Sequence, residues 1–282
     1  MIVDTHVHYN DLPAGHAKAG SVAMAHLSVD ELLEHASDAG IDKIVQVTPF
    51  AAGFDNGYSL RAAEERSDRV VGVLGRVDPI GSDLEDRVAE FFSHNAALGL
   101  RFVLFNSWSE DWLRDGKIDS IMRLADQNNF PVEIFMPYAS PDLQRMARRF
   151  PSVRIIADHM QIRHVRGIGP RDTFRYWDET VSLAREPNVW LKVSHFPEAA
   201  LAEGYPFPTA LDRFRELHSE VGADRLIWGS NYPPVARACS YRQSVDFVRK
   251  ECGFLSAAEK DAILGTNFMS EFAVRKDRWY AQ

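Results

Sequence analysis

The sequence predicts an α/β protein built as one closed parallel (β/α)8 barrel over residues 1–282, with extra C-terminal helices. Three observations predict it. Short β-branched apolar runs recur eight times, each run is followed by a stretch of helical periodicity, and no Pro/Gly/Ser-rich linker interrupts the alternation. Length divided by roughly 150 residues allows two domains, but an unbroken alternation describes a single TIM barrel more economically than two doubly wound units.

The strand runs are Ile2–Thr5, Lys43–Val47, Val70–Arg76, Gly99–Phe105, Pro131–Phe135, Val153–Ala157, Asn188–Val193 and Arg225–Trp228. Most are continuously apolar, as parallel strands covered on both faces should be. After the first, Val29–Ala36 spaces its apolar residues helically behind Ser28, a side chain suited to an N-cap. The same signal occupies Leu60–Arg66, Leu84–Asn95, Ile118–Asn128, Asp142–Arg149, Thr173–Arg185, Thr209–Val221 and Tyr241–Cys252. Ser256–Phe272 then reads as one or two closing helices. The longest irregular stretches, Asn10–Leu27 and Phe196–Pro208, follow the first and seventh strands, which places them over the C-terminal face where barrel active sites are built.

With 45% hydrophobic and 26% charged residues, the chain is an ordinary globular protein rather than a disordered or fibrous one. A net charge of -8 disfavours nucleic acid and anionic membranes as partners. Cys239 and Cys252 are too few for a disulfide framework and have no Cys/His cluster around them, so a reduced cytoplasm is expected. The N-terminus lacks signal-peptide features and no 18-residue apolar run occurs. Oligomeric state stays open.

His6-Val7-His8 ends the first strand, and period-two geometry sends both imidazoles to one side, a natural chelating pair for a divalent cation. His159, in Asp158-His159 after the sixth strand, adds a third imidazole and completes a three-ligand site; a core histidine paired with Asp158 is the bland alternative. The last strand delivers Trp228-Gly229-Ser230-Asn231-Tyr232-Pro233.

Together with Val3–His8, Ala157–Met160 and Asn188–Ser194, that segment resembles the amidohydrolase superfamily. The resemblance is to the branch containing 2-pyrone-4,6-dicarboxylate lactonase, sugar lactonases and aminocarboxymuconate-semialdehyde decarboxylase. It implies a hydrolase with one divalent metal or occasionally none, whose metal-site histidines are His6, His8 and His159. Zinc suits imidazole ligation, with manganese and a metal-free form as alternatives. In that family an aspartate normally stands where this chain has Asn231, which joins the expected metal and catalytic sets. A carboxylate can bind metal and carry a proton, whereas an amide offers only a carbonyl oxygen or hydrogen bonds.

Asn231 has three readings: a substitution that traps a ligand in an impaired enzyme, a natural variant whose base lies elsewhere, or the mark of a noncatalytic binding barrel. His195 is the first candidate for a replacement base, against the bland reading of a loop histidine bonded to backbone. In the expected reaction a metal-activated water attacks a carbonyl; in the metal-free form the histidines polarise that carbonyl by hydrogen bonding.

Arg76 alone ends a strand as a cation, which argues against substrates with two or three carboxylates. Arg163, His164 and Arg166 read as a solvated loop, and Arg101 and Lys192 as structural ion-pair partners. Rings crowd the expected top face: Phe50, Phe54, Tyr58, Phe105, Trp108, Tyr138, Phe196, Tyr205, Phe207 and Tyr232. Arg76, Asn106, Trp108, Tyr138, Phe196 and Tyr232 are the expected substrate contacts, with Gln46 as a further polar anchor. The expected substrate is a small aromatic or apolar lactone, ester or amide with at most one carboxylate; decarboxylation of an aromatic or muconate-type acid is the alternative.

Overall fold

The computed structural model describes residues 1–12, 26–105, 109, 111–162 and 169–273. Eight strands, β1 (Val3–Val7), β2 (Lys43–Val47), β3 (Val70–Gly75), β4 (Ala97–Val103), β5 (Val132–Phe135), β6 (Ile155–Ala157), β7 (Val189–Val193) and β8 (Leu226–Trp228), form one parallel sheet in sequence order. Closure joins β1 to the end of β8 and the residues just past it: Thr5 Oγ1 donates to Trp228 O at 2.7 Å, Asn231 N to His6 O at 2.9 Å and His8 N to Tyr232 O at 2.9 Å. The expected (β/α)8 barrel is therefore present.

Its helices are α1 (Val29–Ala39), α2 (Gly57–Glu65), α3 (Leu84–Phe92), α4 (Asp119–Asn128), α5 (Ser140–Arg149), α6 (Pro170–Thr173), α7 (Trp177–Ala184), α8 (Phe196–Ala199), α9 (Pro208–Val221), α10 (Tyr241–Asp246) and α11 (Ala257–Asp261). Ser28 caps α1 in a reciprocal box with Glu31, and Gly40 ends it in the left-handed conformation. Ser240 and Ser256 build the same box with Gln243 and Glu259. Among the described residues no helix is long and apolar enough to cross a membrane.

Two expectations need correction. The stretch 196–208 is not irregular: α8 starts on Phe196-Pro197, whose proline suits a first turn, and a 3-10 turn follows at Leu201–Glu203. The helix expected over Thr173–Arg185 is present as α7 but starts later, at Trp177: Thr173 closes the short α6, and the chain turns at buried Phe174 before α7 begins.

Strand packing leaves little freedom. All seven residues of β4 are buried, and a Cβ on Gly99 would lie 2.7 Å from Pro131 O. Within the barrel, four buried charges offset one another: Arg101 on β4 pairs with Glu133 on β5 (3.1 Å) and Asp158 after β6 (2.6 Å), and Lys192 on β7 pairs with Glu133. Arg101 and Lys192 are thus the ion-pair partners expected of them.

Candidate active site

The first strand delivers both of its histidines to one place, with Nε2 of His6 and Nε2 of His8 3.2 Å apart. His8 Nδ1 lies 2.7 Å from Val47 O, an acceptor only, so the neutral ring carries its proton there and presents a lone pair at Nε2. Burial, with the Arg101 charge, pulls His8 down to about 4, and burial holds His6 well below its ordinary value. Both rings are neutral at pH 7.

Two lone pairs cannot face each other at 3.2 Å; a proton or a cation must lie between them. Two arrangements meet this need. Lys192 Nζ, 3.3 Å away, can donate to His6 Nδ1 while His6 Nε2 donates to His8. Alternatively, His6 Nδ1 carries the proton toward Asp158 Oδ1 at 3.3 Å, leaving both Nε2 lone pairs for a metal. Tetrahedral ligands at ~2.0–2.1 Å from zinc are themselves about 3.3 Å apart, so the observed spacing fits.

His159 sits on a backbone held in an uncommon form: His159, Met160 and Gln161 have φ of 51°, 53° and 55°. Such residues cost about 1 kcal/mol each, and the surroundings hold them there. Gln161 Nε2 donates to Ile134 O at 2.7 Å and its Oε1 accepts from Met136 N at 2.8 Å, while Thr180 Oγ1 donates to Met160 O at 2.9 Å. The His159 ring comes within 4.4 Å of His6, centroid to centroid. Its Nδ1 is 2.6 Å from Ser194 Oγ and burial holds it neutral. His6, Asp158 and His159 each bring a ligand atom to within 4.8 Å of the others. Burial would raise Asp158, but the Arg101 guanidinium, 2.6 Å away, holds its carboxyl well below the usual carboxylate range. Asp158 Oδ1 and Glu133 Oε1 are buried without a hydrogen-bond partner among the described residues, and both face His6 Nδ1. Neutral imidazoles beside an ionised carboxylate are a donor set that fits one divalent cation.

His195 stacks on His159 with centroids 3.6 Å apart and planes 2° from parallel. Its Nδ1 is 3.3 Å from Ile162 O, and its Nε2 is 2.9 Å from Asn231 Nδ2. Asn231 Nδ2 also donates to Glu198 Oε1 at 3.0 Å. Both neighbours are acceptors, which fixes the amide with nitrogen toward them and carbonyl oxygen away. Glu198 Oε2 is buried without a partner among the described residues. No sequence signal marked Glu198: it lies in the stretch expected to be irregular, three residues beyond His195, on the unforeseen helix α8.

The other expected contacts separate. Arg76 is buried just past β3, its guanidinium over the Phe50 and Phe54 rings at 4.4 and 5.6 Å. Tyr138 is half-buried, under Arg175 at 5.4 Å. Tyr232 stacks on Tyr241 at 4.2 Å, with its hydroxyl 3.0 Å from His35 Nδ1, so its ring belongs to the contact with α1 and α10. Phe196 is a correction: it is buried against Trp177, Phe214 and Phe247, in the layer between barrel and helices. Phe207 packs there too. Gln46 is occupied by the backbone of Tyr9 and by Ser59 Oγ, which removes it as a substrate anchor. Asn106, Trp108, Arg163, His164 and Arg166 lie outside the described residues.

A parallel barrel that gathers three neutral histidines and an ionised aspartate at its strand ends defines a protein class built to hold a cation or polarise a carbonyl. The sequence profile of the amidohydrolase family matches residues 3–267, and the chain belongs to that family. It is 28% identical over 200 residues to L-fucono-1,5-lactonase of Burkholderia ambifaria, a match covering 69% of this chain and 66% of that protein. It is 22% identical over 197 residues to 4-sulfomuconolactone hydrolase of Hydrogenophaga intermedia, covering 69% and 61%. The chain thus spans less than two thirds of these curated relatives. A solved amidohydrolase from Burkholderia multivorans with bound zinc shares the fold at a TM-score of 0.79 and 21% identity, over 96% of this chain and 98% of that one.

Proposed function

We propose that the protein is a hydrolase that opens a lactone of a small aromatic or apolar acid with at most one carboxylate, within a wider range of esters and amides. The convergence of His6, His8 and His159 beside the acceptors His195 and Glu198 carries this reading. Two relatives named as a lactonase and a lactone hydrolase favour the lactone within that range.

His6, His8 and His159, with the carbonyl oxygen of Asn231 as a neutral further donor, would hold one divalent metal, zinc by preference. When bound, such an ion supplies a Lewis acid for the carbonyl and a water of lowered pKa. The chain's own side chains handle the proton. His195 keeps its Nδ1 proton on Ile162 O, and its single Nε2 lone pair, which accepts from Asn231 Nδ2 here, serves as the base for the attacking water once that water takes the place of the amide hydrogen bond. As the ring C–O bond breaks, the same nitrogen returns that proton to the departing oxygen. Glu198 Oε1, 3.9 Å from His195 Nε2, offsets the transient imidazolium charge. Asn231 moves no proton; it positions. The fit of its amide to Glu198 and His195 favours a natural variant with its base elsewhere over a trapped or inactive form. Free, buried Cys239 and Cys252 suit a cytoplasmic setting.

Incubating the purified protein with lactones, aryl esters and hydroxybenzoates tests the class. Ring-opened acid is expected. Carbon dioxide release without hydrolysis would replace the reading with a decarboxylase, and affinity without turnover would replace it with a binding barrel. Elemental analysis tests the metal: near-stoichiometric divalent ion, lost in His159→Ala, is expected, and an active metal-free protein would overturn that part.

A further inference from the structure

Arg76 is placed as no structural arginine needs to be. Its side chain is buried, yet Nε and Nη1 have no hydrogen-bond partner among the described residues. The other buried arginines are engaged: Arg101 by Asp158 and Glu133, Arg154 by Glu271 O and Asn129 O. A cation taken out of water without a counter-charge is costly unless something supplies one. Burial, with the charge of Arg101, draws Arg76 down to about 9, which still leaves it protonated at neutral pH.

Its backbone is pinned. Asn56 Oδ1 accepts from Arg76 N at 2.9 Å, Asn56 Nδ2 donates to Arg76 O at 2.8 Å, and Thr48 Oγ1 donates to Asn56 Oδ1 at 2.9 Å. Thr48 follows Val47, whose carbonyl holds His8, so Arg76 is tied through two short links to the histidine centre. A second connection runs through rings. Phe50, beneath the guanidinium, stacks with Phe105 at 6.4 Å; Phe105 meets Phe135 edge-on at 5.7 Å; and Phe135 meets His159 edge-on at 5.1 Å. A run of three rings in contact thus joins the cation to the histidine centre.

We propose that Arg76 is a carboxylate-recognition site at the far end of the Phe50–Phe105–Phe135 wall, and that the substrate carries its one carboxylate across an apolar, ring-sized body from the lactone carbonyl. A guanidinium presents planar N–H forks that match a carboxylate, and the one buried guanidinium without an ion-pair partner among the described residues answers a single negative charge. The three rings themselves offer no cation to a second anionic group and give the body of the ligand a face to stack on. The site makes this a selective step: a neutral analogue leaves the buried guanidinium unpaired, which is the kind of loss that discriminates strongly. The inference rests on the lactone-hydrolase reading for the reaction and on Arg76 alone for the anion.

The test separates these two. Binding of 4-phenylbutanoate and of its neutral amide is measured by calorimetry on wild-type protein, Arg76→Gln and Arg76→Lys, with circular dichroism to check folding. The wild type should prefer the carboxylate by about tenfold or more, Arg76→Gln should lose the preference, and Arg76→Lys should keep part of it. In turnover of an apolar lactone bearing a distal carboxylate, Arg76→Gln should raise KM with little change in kcat. Equal binding of acid and amide by the wild type, which needs no variant, overturns the proposal, as does a preference that survives in Arg76→Gln. An Arg76-dependent preference without lactone turnover supports the anion site and defeats the hydrolase reading instead.

Discussion

Asn231 shows how one side chain can be fitted to its neighbours rather than to a general pattern. Its amide donates to Glu198 and His195; an aspartate there would lose both donors and set a second carboxylate about 3 Å from the first, a repulsive arrangement. Asn231→Asp should therefore lower kcat/KM by about tenfold at pH 7, and Glu198→Gln should relieve part of the loss. A faster Asn231→Asp enzyme would show that the family's usual base had been missing. His8 supports a second expectation. Its folded-state value of about 4 lies below the ordinary 6.5, so only the unfolded chain takes up the proton between them. The resulting stability is present above pH 6.5 and lost as pH falls toward 4, about 3 kcal/mol in all. Urea unfolding of metal-free protein at pH 7 and pH 4 should show that much less pH dependence in His8→Gln; an unchanged dependence would contradict it. The three histidines and Asn231 were legible because strand-end position and spacing mark them, whereas Glu198 was not, because a lone acid in a proline-containing stretch has no periodicity to betray it.

At the level of elements, close approach fixes where the histidines stand. A Cβ on Gly229, just past β8, would lie 2.7 Å from His6 Cβ and 3.0 Å from His6 N. Both are parts of β1 that cannot swing aside, so Gly229→Ala should destabilise the fold by about 1–3 kcal/mol and depress turnover more than stability alone explains. Thermal unfolding alongside kinetics checks this; a variant with normal kcat would show that β1 tolerates the shift. The strands were legible because parallel strands covered on both faces run apolar without alternation. α8 and the break between α6 and α7 were not, since four-residue helices carry too few turns to show a period, and buried Phe174 and Trp177 mimic a continuous helix.

Across the whole molecule, charges from four consecutive strand regions close the barrel's interior. Lys192 reaches Glu133, Thr5 O and His6 Nδ1 from full burial. Burial, with the charge of Asp158, raises Glu133 to about 7, against the pull of Lys192 and Arg101. Lys192→Met should cost about 3–5 kcal/mol by leaving that charge pattern uncompensated, and adding Glu133→Gln should recover part of it; additive losses in urea unfolding would show that the pair is not coupled. The sequence marked Lys192 and Arg101 as pairing residues but not their partners, because contact across strands depends on register. The central claim, that the histidine centre opens a lactone, meets its most direct test in proton release during hydrolysis of an apolar lactone by wild-type protein and by folded His159→Asn. Ring opening by the wild type with a loss of about a hundredfold or more in the variant is the predicted result, and a variant as fast as the wild type would contradict it.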